Sequence, residues 1–186
     1  MSSLTVLHTD HTERLILESA LAVLQGESFN GLTVRAVAKK AGMSERTIFR
    51  YFASREQFLD AVATEVTRLL NMPPAPSSLD ELRSMPRRLY TAFEPHAKLI
   101  SVVFHTELFP RMQSGAAEQR WIGIKKLLDR EFTKAPPHAR KIAAANIRYF
   151  LSGASWHYYR FVFRFDLEET IACAEAAIRQ ALKGLR

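Results

Sequence analysis

Residues 33–59 read TVRAVAKKAGMSERTIFRYFASREQFL. The stretch parses into two short helices, a tight turn and the start of a longer third helix. Thr33 is placed to N-cap the first, since its hydroxyl can accept a backbone N–H of the opening turn. Val34, Val37, Ala38 and Ala41 recur at helical spacing and form one apolar stripe. Gly42 then ends the helix, because glycine takes a positive φ without a steric cost. Ser44 caps the second helix, in which Ile48 and Phe52, four apart, face inward. At about 100° per residue, Arg46, Thr47, Arg50 and Tyr51 span an arc of roughly 140°, with Ile48, Phe49 and Phe52 on the other side. A helix with guanidiniums outward suits guanine edges and phosphates, and its size fits the major groove. Two helices joined by a short glycine-containing turn form a helix-turn-helix pattern.

The run T-I-F-R-Y-F-A-S-R-E-Q-F, Thr47 to Phe58, resembles the TetR/AcrR family of bacterial transcriptional regulators. The run T-V-R-A-V-A-K-K-A-G-M-S, Thr33 to Ser44, falls where that family keeps its first helix and turn. Ala38, Gly42 and Ile48 match the small residue, turn glycine and buried aliphatic of the pattern. The resemblance implies an all-α chain of about nine helices. An N-terminal DNA-binding domain would be followed by a C-terminal domain that dimerises and holds a small effector.

The chain has 186 residues, 47% of them hydrophobic, enough for one large or two small domains. No run approaches the ~18 apolar residues of a membrane span. The start, MSSLTVLHTDHTER, lacks the basic and apolar regions of a signal peptide. A single cysteine, Cys173, excludes an internal disulfide and a cysteine-based zinc site. These features fit a soluble protein in the cytoplasm. No H-E-x-x-H, glycine-rich phosphate loop or G-x-S-x-G occurs, so neither an enzyme, a metal site nor a cofactor is expected.

The net charge of +7 is unevenly placed. Residues 1–70 hold eight Lys/Arg and eight Asp/Glu, and residues 71–186 hold 18 and 11. Residues 33–55 nevertheless carry Arg35, Lys39, Lys40, Arg46, Arg50 and Arg55 against Glu45 alone. This local cluster favours nucleic acid, whereas the excess beyond residue 70 reads either as a solvated positive surface or as attraction for an anionic ligand.

Along the chain, residues 1–9 read as a loose arm. Asp10 and Glu13 suggest a capping box for a helix ending at Gly26, and Phe29, Gly31 and Leu32 connect to Thr33. Ser54 and Gln57 open a connector helix over 54–71, which Pro73, Pro74 and Pro76 prevent from continuing. The domains are therefore placed at 1–55, with that connector, and 72–186. Five helices are expected in the second: 78–93, 95–107, 116–132, 136–164 and 167–183, with FPRMQSG as a break and FVFRF (161–165) kept helical.

Site residues follow from position. Arg46, Thr47 and Arg50 should read base edges or the phosphates flanking them. Thr33, Arg35, Ser44, Tyr51 and Arg55 should hold the DNA backbone. Phe104, Trp121, Phe150 and Trp156 are the candidate lining of a pocket for an apolar or aromatic effector. Ile171, Ala174, Ile178, Ala181, Leu182 and Leu185 form a stripe on the last helix. With its predecessor, that helix would make a homodimer reading a palindromic operator on double-stranded DNA. A DNA binder without a small-molecule effector, and a low-specificity architectural protein, stay open as alternatives.

Overall fold

A computed structural model describes residues 3–26, 32–113 and 116–186, with side chains for 11–26, 32–112 and 118–186. Among these residues the fold is all-α. The helices are α1 (Ser3–Gln25), α2 (Val34–Ala41), α3 (Glu45–Tyr51), α4 (Arg55–Leu70), α5 (Leu79–Phe93), α6 (Ala97–Val103), α7 (Leu108–Gln113), α8 (Ala116–Glu131), α9 (Pro137–Phe150), α10 (Gly153–His157) and α11 (Leu167–Lys183). A 3₁₀ turn, Glu94–His96, precedes α6, and a π-helical turn, Tyr158–Val162, follows α10.

The chain forms two compact units, residues 1–69 with 101–112, and residues 70–100 with 113–186. The single boundary expected near residue 71 does not contain the return of 101–112 to the first unit.

In the first unit, α1 packs on α2 and α2 on α3. Ile16, Ala20 and Leu24 of α1, Val37 and Ala38 of α2, and Ile48 of α3 are buried. So are Phe58, Leu59, Val62 and Val66 of α4. Phe52 and Phe58 meet edge to face with ring centroids 5.6 Å apart. Helix α1 begins at Ser3, where a loose arm was expected. The side chain of Asp10, and the connecting Phe29 and Gly31, lie outside the described residues.

The second unit is built around α5 and α11, which pack together, with α9 also against α11 and α8 against α9. Ser78 caps α5 and Asp166 caps α11, the latter in a reciprocal box with Glu169. Tyr90, Phe93 and Trp156 fill the interior, and Phe93 meets Trp156 edge to face at 5.5 Å. The Tyr90 hydroxyl donates to the Phe150 carbonyl and lies 3.0 Å from Ser155 Oγ. Burial raises its pKa well above the ordinary phenol value. Glu94 accepts from Trp156 Nε1 at 3.0 Å and from Arg160 Nε at 2.8 Å, fastening α10 and the π turn to the 3₁₀ turn before α6.

Four expectations are corrected. The helix over 136–164 is interrupted after Phe150. Ser152 Oγ donates to the Tyr149 carbonyl at 2.6 Å and accepts the Ser155 N–H at 3.2 Å, so its hydroxyl competes with helix hydrogen bonding and starts α10. Of FVFRF, Phe161 and Val162 lie in the π turn and Phe163–Phe165 lie outside any helix, with Arg164 at φ 60°. The helix over 95–107 ends at Val103, and FPRMQ, expected as a break, belongs to α7. Its proline occupies the first turn, where no N–H is required. Finally, Ile171, Ala174, Ile178, Leu182 and Leu185 are buried inside their own unit, so that stripe is core and not an open face.

Replacing Ile178, which is 1% exposed, with Ala should destabilise the fold by about 2–5 kcal/mol through the cavity left behind. Urea denaturation with a fitted midpoint would check this, and a loss below 1 kcal/mol would show that α11 is not a core element.

Candidate nucleic-acid interface

The geometry of α2 and α3 starts from three caps. Thr33 Oγ1 accepts the Ala36 N–H at 3.1 Å. Gly42 has φ 68° and ψ 30°, the left-handed region. With its N–H on the Lys39 carbonyl and the Met43 N–H on that of Ala38 at 2.9 Å, it closes a Schellman turn. Ser44 Oγ accepts the Thr47 N–H at 3.1 Å and lies 2.9 Å from Thr47 Oγ1. The chain thus leaves α2, reverses hand at one residue and re-enters helix within three.

This turn sets what α3 presents. Ile48 and Phe52 are buried, while Glu45, Arg46, Phe49 and Arg50 are exposed. Thr47 and Tyr51 lie at the edge of that face. The Arg50 guanidinium lies 5.4 Å from the Tyr51 ring centroid. The Tyr51 hydroxyl bonds Thr12 of α1, the main cause of a phenol pKa below its usual value. On α2, Arg35, Lys39 and Lys40 are exposed. None of Arg35, Lys39, Lys40, Arg46 and Arg50 has a carboxylate within ion-pair distance among the described residues.

Phe49, expected inward, is 43% exposed. Its angular position lies about 60° from exposed Arg46 and about 60° from buried Phe52, on the border between the two faces. At such a border the angle does not decide, and hydrophobicity was the misleading signal. An exposed phenyl beside two arginines has the chemistry to meet a thymine methyl.

Arg55 is placed differently from the other cations. Both its terminal nitrogens donate to Glu107, Nη1 at 2.9 Å. Arg111 pairs with both Asp60 and Glu56. Residues 101–112 therefore grip the first two turns of α4 through charge. Arg55 is a fixed member of this network and not an open phosphate contact.

Each of the four candidate pocket residues has its own surroundings within its unit. Phe104 packs on Phe109 within the first unit, with centroids 4.6 Å apart. Trp156 is fully buried. Phe150 lies against Tyr149. Trp121 does line a cleft of about 440 Å³, whose walls come from α8, α9 and the turn into α10. Among the described residues, no three His, Cys, Asp or Glu side chains come together as a metal-binding group, and no helix is long and apolar enough to cross a membrane.

Comparison with known proteins bears on this geometry. Residues 16–62 match the profile described as bacterial regulatory proteins, tetR family. The chain is 29% identical over 124 residues to the HTH-type transcriptional repressor KstR of Rhodococcus jostii, a match covering 64% of this chain and 57% of that repressor's length. A TetR-like transcriptional regulator from Rhodococcus superposes with a TM-score of 0.63 at 16% identity, over 93% of this chain and 96% of that one. Residues 16–62 carry a TetR-family domain. A second solved structure, of a TetR-family regulator described as putative from Mesorhizobium loti, superposes with a TM-score of 0.61 at 19% identity, over 94% and 96% of the two chains. The TetR-family match runs from Ile16 to Val62, so it includes α2, the Gly42 turn, α3 and the charged start of α4.

Two predictions follow from this geometry. Gly42→Ala should cost about 1–2 kcal/mol, the price of a left-handed conformation for a residue with a Cβ; the site has open space, so no clash contributes. A variant as stable as the parent would show that the turn relaxes away from φ 68°. Secondly, Arg55 holds the Glu107 carboxyl below its ordinary pKa. Its stabilisation is then complete above the unfolded carboxylate pKa of about 4.3 and is lost as pH falls through the lowered folded value. Thermal melts of Glu107→Gln should therefore lie below the parent at neutral pH and converge with it below about pH 3. Parallel curves across that range would contradict the linkage.

Proposed function

We propose that this chain is a homodimeric, sequence-specific DNA-binding regulator in the cytoplasm, a repressor released by a small ligand. The observation that carries the reading is the set of exposed cations on α2 and α3. Nine arginines outside α2 and α3 are paired with carboxylates, among them Arg87 with Glu168, Arg140 with Asp129 and Arg160 with Glu94. Arg35, Lys39, Lys40, Arg46 and Arg50 instead face water on two helices held at a fixed turn. Surface cations without carboxylates are suited to phosphates, whose counterions are released on contact.

In this reading Arg46, Thr47 and Arg50 meet base edges, with Phe49 beside them on thymine. Thr33, Arg35, Ser44 and Tyr51 fix register on the sugar–phosphate backbone. The hydroxyls of Thr33 and Ser44 already accept cap hydrogen bonds, so what they offer a phosphate is their own O–H. KstR is named a repressor, and repression is carried over on that ground.

Dimerisation is supported by exposed apolar side chains of the second unit: Tyr149, Tyr158, Phe161, Val162 and Phe163 are each about half exposed. Apolar groups clustered on a surface mark interaction sites. With the α11 stripe buried as core, the end of α9 and the π turn are the surface a second copy would cover. A two-fold pair of reading heads then matches a palindromic site. A ligand in the second unit lowers DNA affinity by favouring the state that binds DNA less well, to the extent of its differential affinity for the two states.

The first test is a binding titration on DNA upstream of the chain's own gene against scrambled DNA at two salt concentrations. Preference for the upstream DNA with a dyad footprint is expected, and equal, steeply salt-dependent binding to both would contradict the reading. In the same assay Arg46→Ala should cost about 1–3 kcal/mol on the preferred DNA and relax specificity at one position. An unchanged preference would remove Arg46 from the base-reading set. Val162→Glu, at a side chain 52% exposed, should leave the melting temperature unchanged and shift sedimentation from dimer to monomer. A dimer that persists would place the interface elsewhere.

A further inference from the structure

The buried stripe of α1 runs through Leu24, Ala20 and Ile16 in steps of four residues. One step further out the same stripe reaches Thr12, which is half-buried. An apolar side chain would continue the stripe there. A hydroxyl stands in its place, and it hydrogen-bonds the phenol oxygen of Tyr51. That bond first, and a weaker one from Arg50, hold the Tyr51 pKa below the ordinary phenol value. A bond that favours the charged phenolate is one donated to its oxygen. Thr12 is therefore the donor, and the neutral Tyr51 hydroxyl keeps its own proton for another acceptor.

Tyr51 is the last residue of α3, and the backbone is extended at Phe52. Helix ends fray, so backbone geometry alone directs a terminal ring loosely. The hydroxyl from α1 fixes the far end of that ring. The Arg50 guanidinium lies 5.4 Å from the ring centroid and also bonds the Tyr51 hydroxyl. A planar cation set against an aromatic ring, with an N–H on the same residue's oxygen, is confined to few rotamers. Arg50 is otherwise exposed, and a long side chain ordered before binding loses less freedom when it meets its partner.

We propose that Thr12 is a positioning residue for DNA recognition: its hydroxyl fixes the Tyr51 ring, which holds Arg50 toward the base edges and keeps the phenol proton for the DNA backbone. The inference rests on the reading of α3 as the base-reading helix, and adds to it a residue of α1 that acts through two others. It gives the outer end of α1 a part in recognition that residues 33–59 do not contain.

The test uses the duplex that the full chain enriches from a randomised double-stranded pool, measured against a scrambled duplex. Thr12→Val keeps the shape and removes the hydroxyl. It should weaken binding to the enriched duplex about fivefold, the effect of one hydrogen bond, and relax the preference at the base pair that Arg50→Ala also relaxes. Thr12→Ser returns the hydroxyl and should bind as the parent does. In a Tyr51→Phe background, Thr12→Val should weaken binding no further, because Thr12 acts only through the phenol oxygen. A threonine that merely supports the fold would weaken both backgrounds alike. The proposal is overturned by a Thr12→Val chain that keeps the parent's affinity and preference, by Thr12→Ser losing as much as Thr12→Val, or by equal losses with and without the Tyr51 hydroxyl. A parent chain that enriches no duplex would remove the regulator reading and this inference together. One that enriches a duplex and is indifferent to Thr12→Val would remove this inference alone.

Discussion

Ile48 and Phe52 are buried on a helix of only seven residues. A helix that short does not hold itself in water, because nucleation costs more than so few hydrogen bonds return. Its existence and its rotation about its own axis therefore come from tertiary burial of those two side chains. Everything α3 offers outward depends on that constraint. Once Ile48 points at the core, Arg46 and Arg50 must point away from it. The Gly42 turn has the complementary task of letting α3 start within two residues of the end of the Schellman closure.

The architecture was legible wherever a short-range signal governs it. Thr33, Ser44, Ser54, Ser78 and Asp166 are local hydroxyl or carboxylate caps, and Gly42 is a local conformational demand. These appear in sequence because donor, acceptor and backbone strain all lie within a few residues. Failures occurred where two physical answers share one residue pattern. The α11 stripe looks the same whether it meets its own unit or a partner. Ser152 sits in a pattern that helical periodicity alone carries through without a break, yet its hydroxyl takes the Tyr149 carbonyl and starts a new helix. The partnership of Arg55 with Glu107, 52 residues away, leaves no trace in spacing at all. For the candidate DNA face, residue types were readable and their availability was not, since availability depends on which carboxylates the fold brings near.

Availability of charge separates three kinds of arginine here. One group is paired with carboxylates, as Arg83 is with Asp80 and Arg87 with Glu168, and at the surface such pairs contribute little to stability but do use up the cation. A second group, on α2 and α3, is left open to solvent, where hydration keeps the cost of the charge low. Arg120 is the third kind, enclosed and, among the described residues, without an anion. The first two are compatible with a chain at rest. The third is an imbalance inside a packed unit.

The discontinuous first unit bears on how the protein is made. Glu107 and Arg111, which hold Arg55, Glu56 and Asp60 of α4, are encoded long after the helices they brace. During synthesis α1 to α4 leave the ribosome first, and their charged collar arrives only when residues 101–112 follow. The N-terminal unit therefore cannot reach its final state as a nascent fragment, and a transplantable cassette cut at residue 69 would lack the Glu107 and Arg111 that brace Arg55, Glu56 and Asp60.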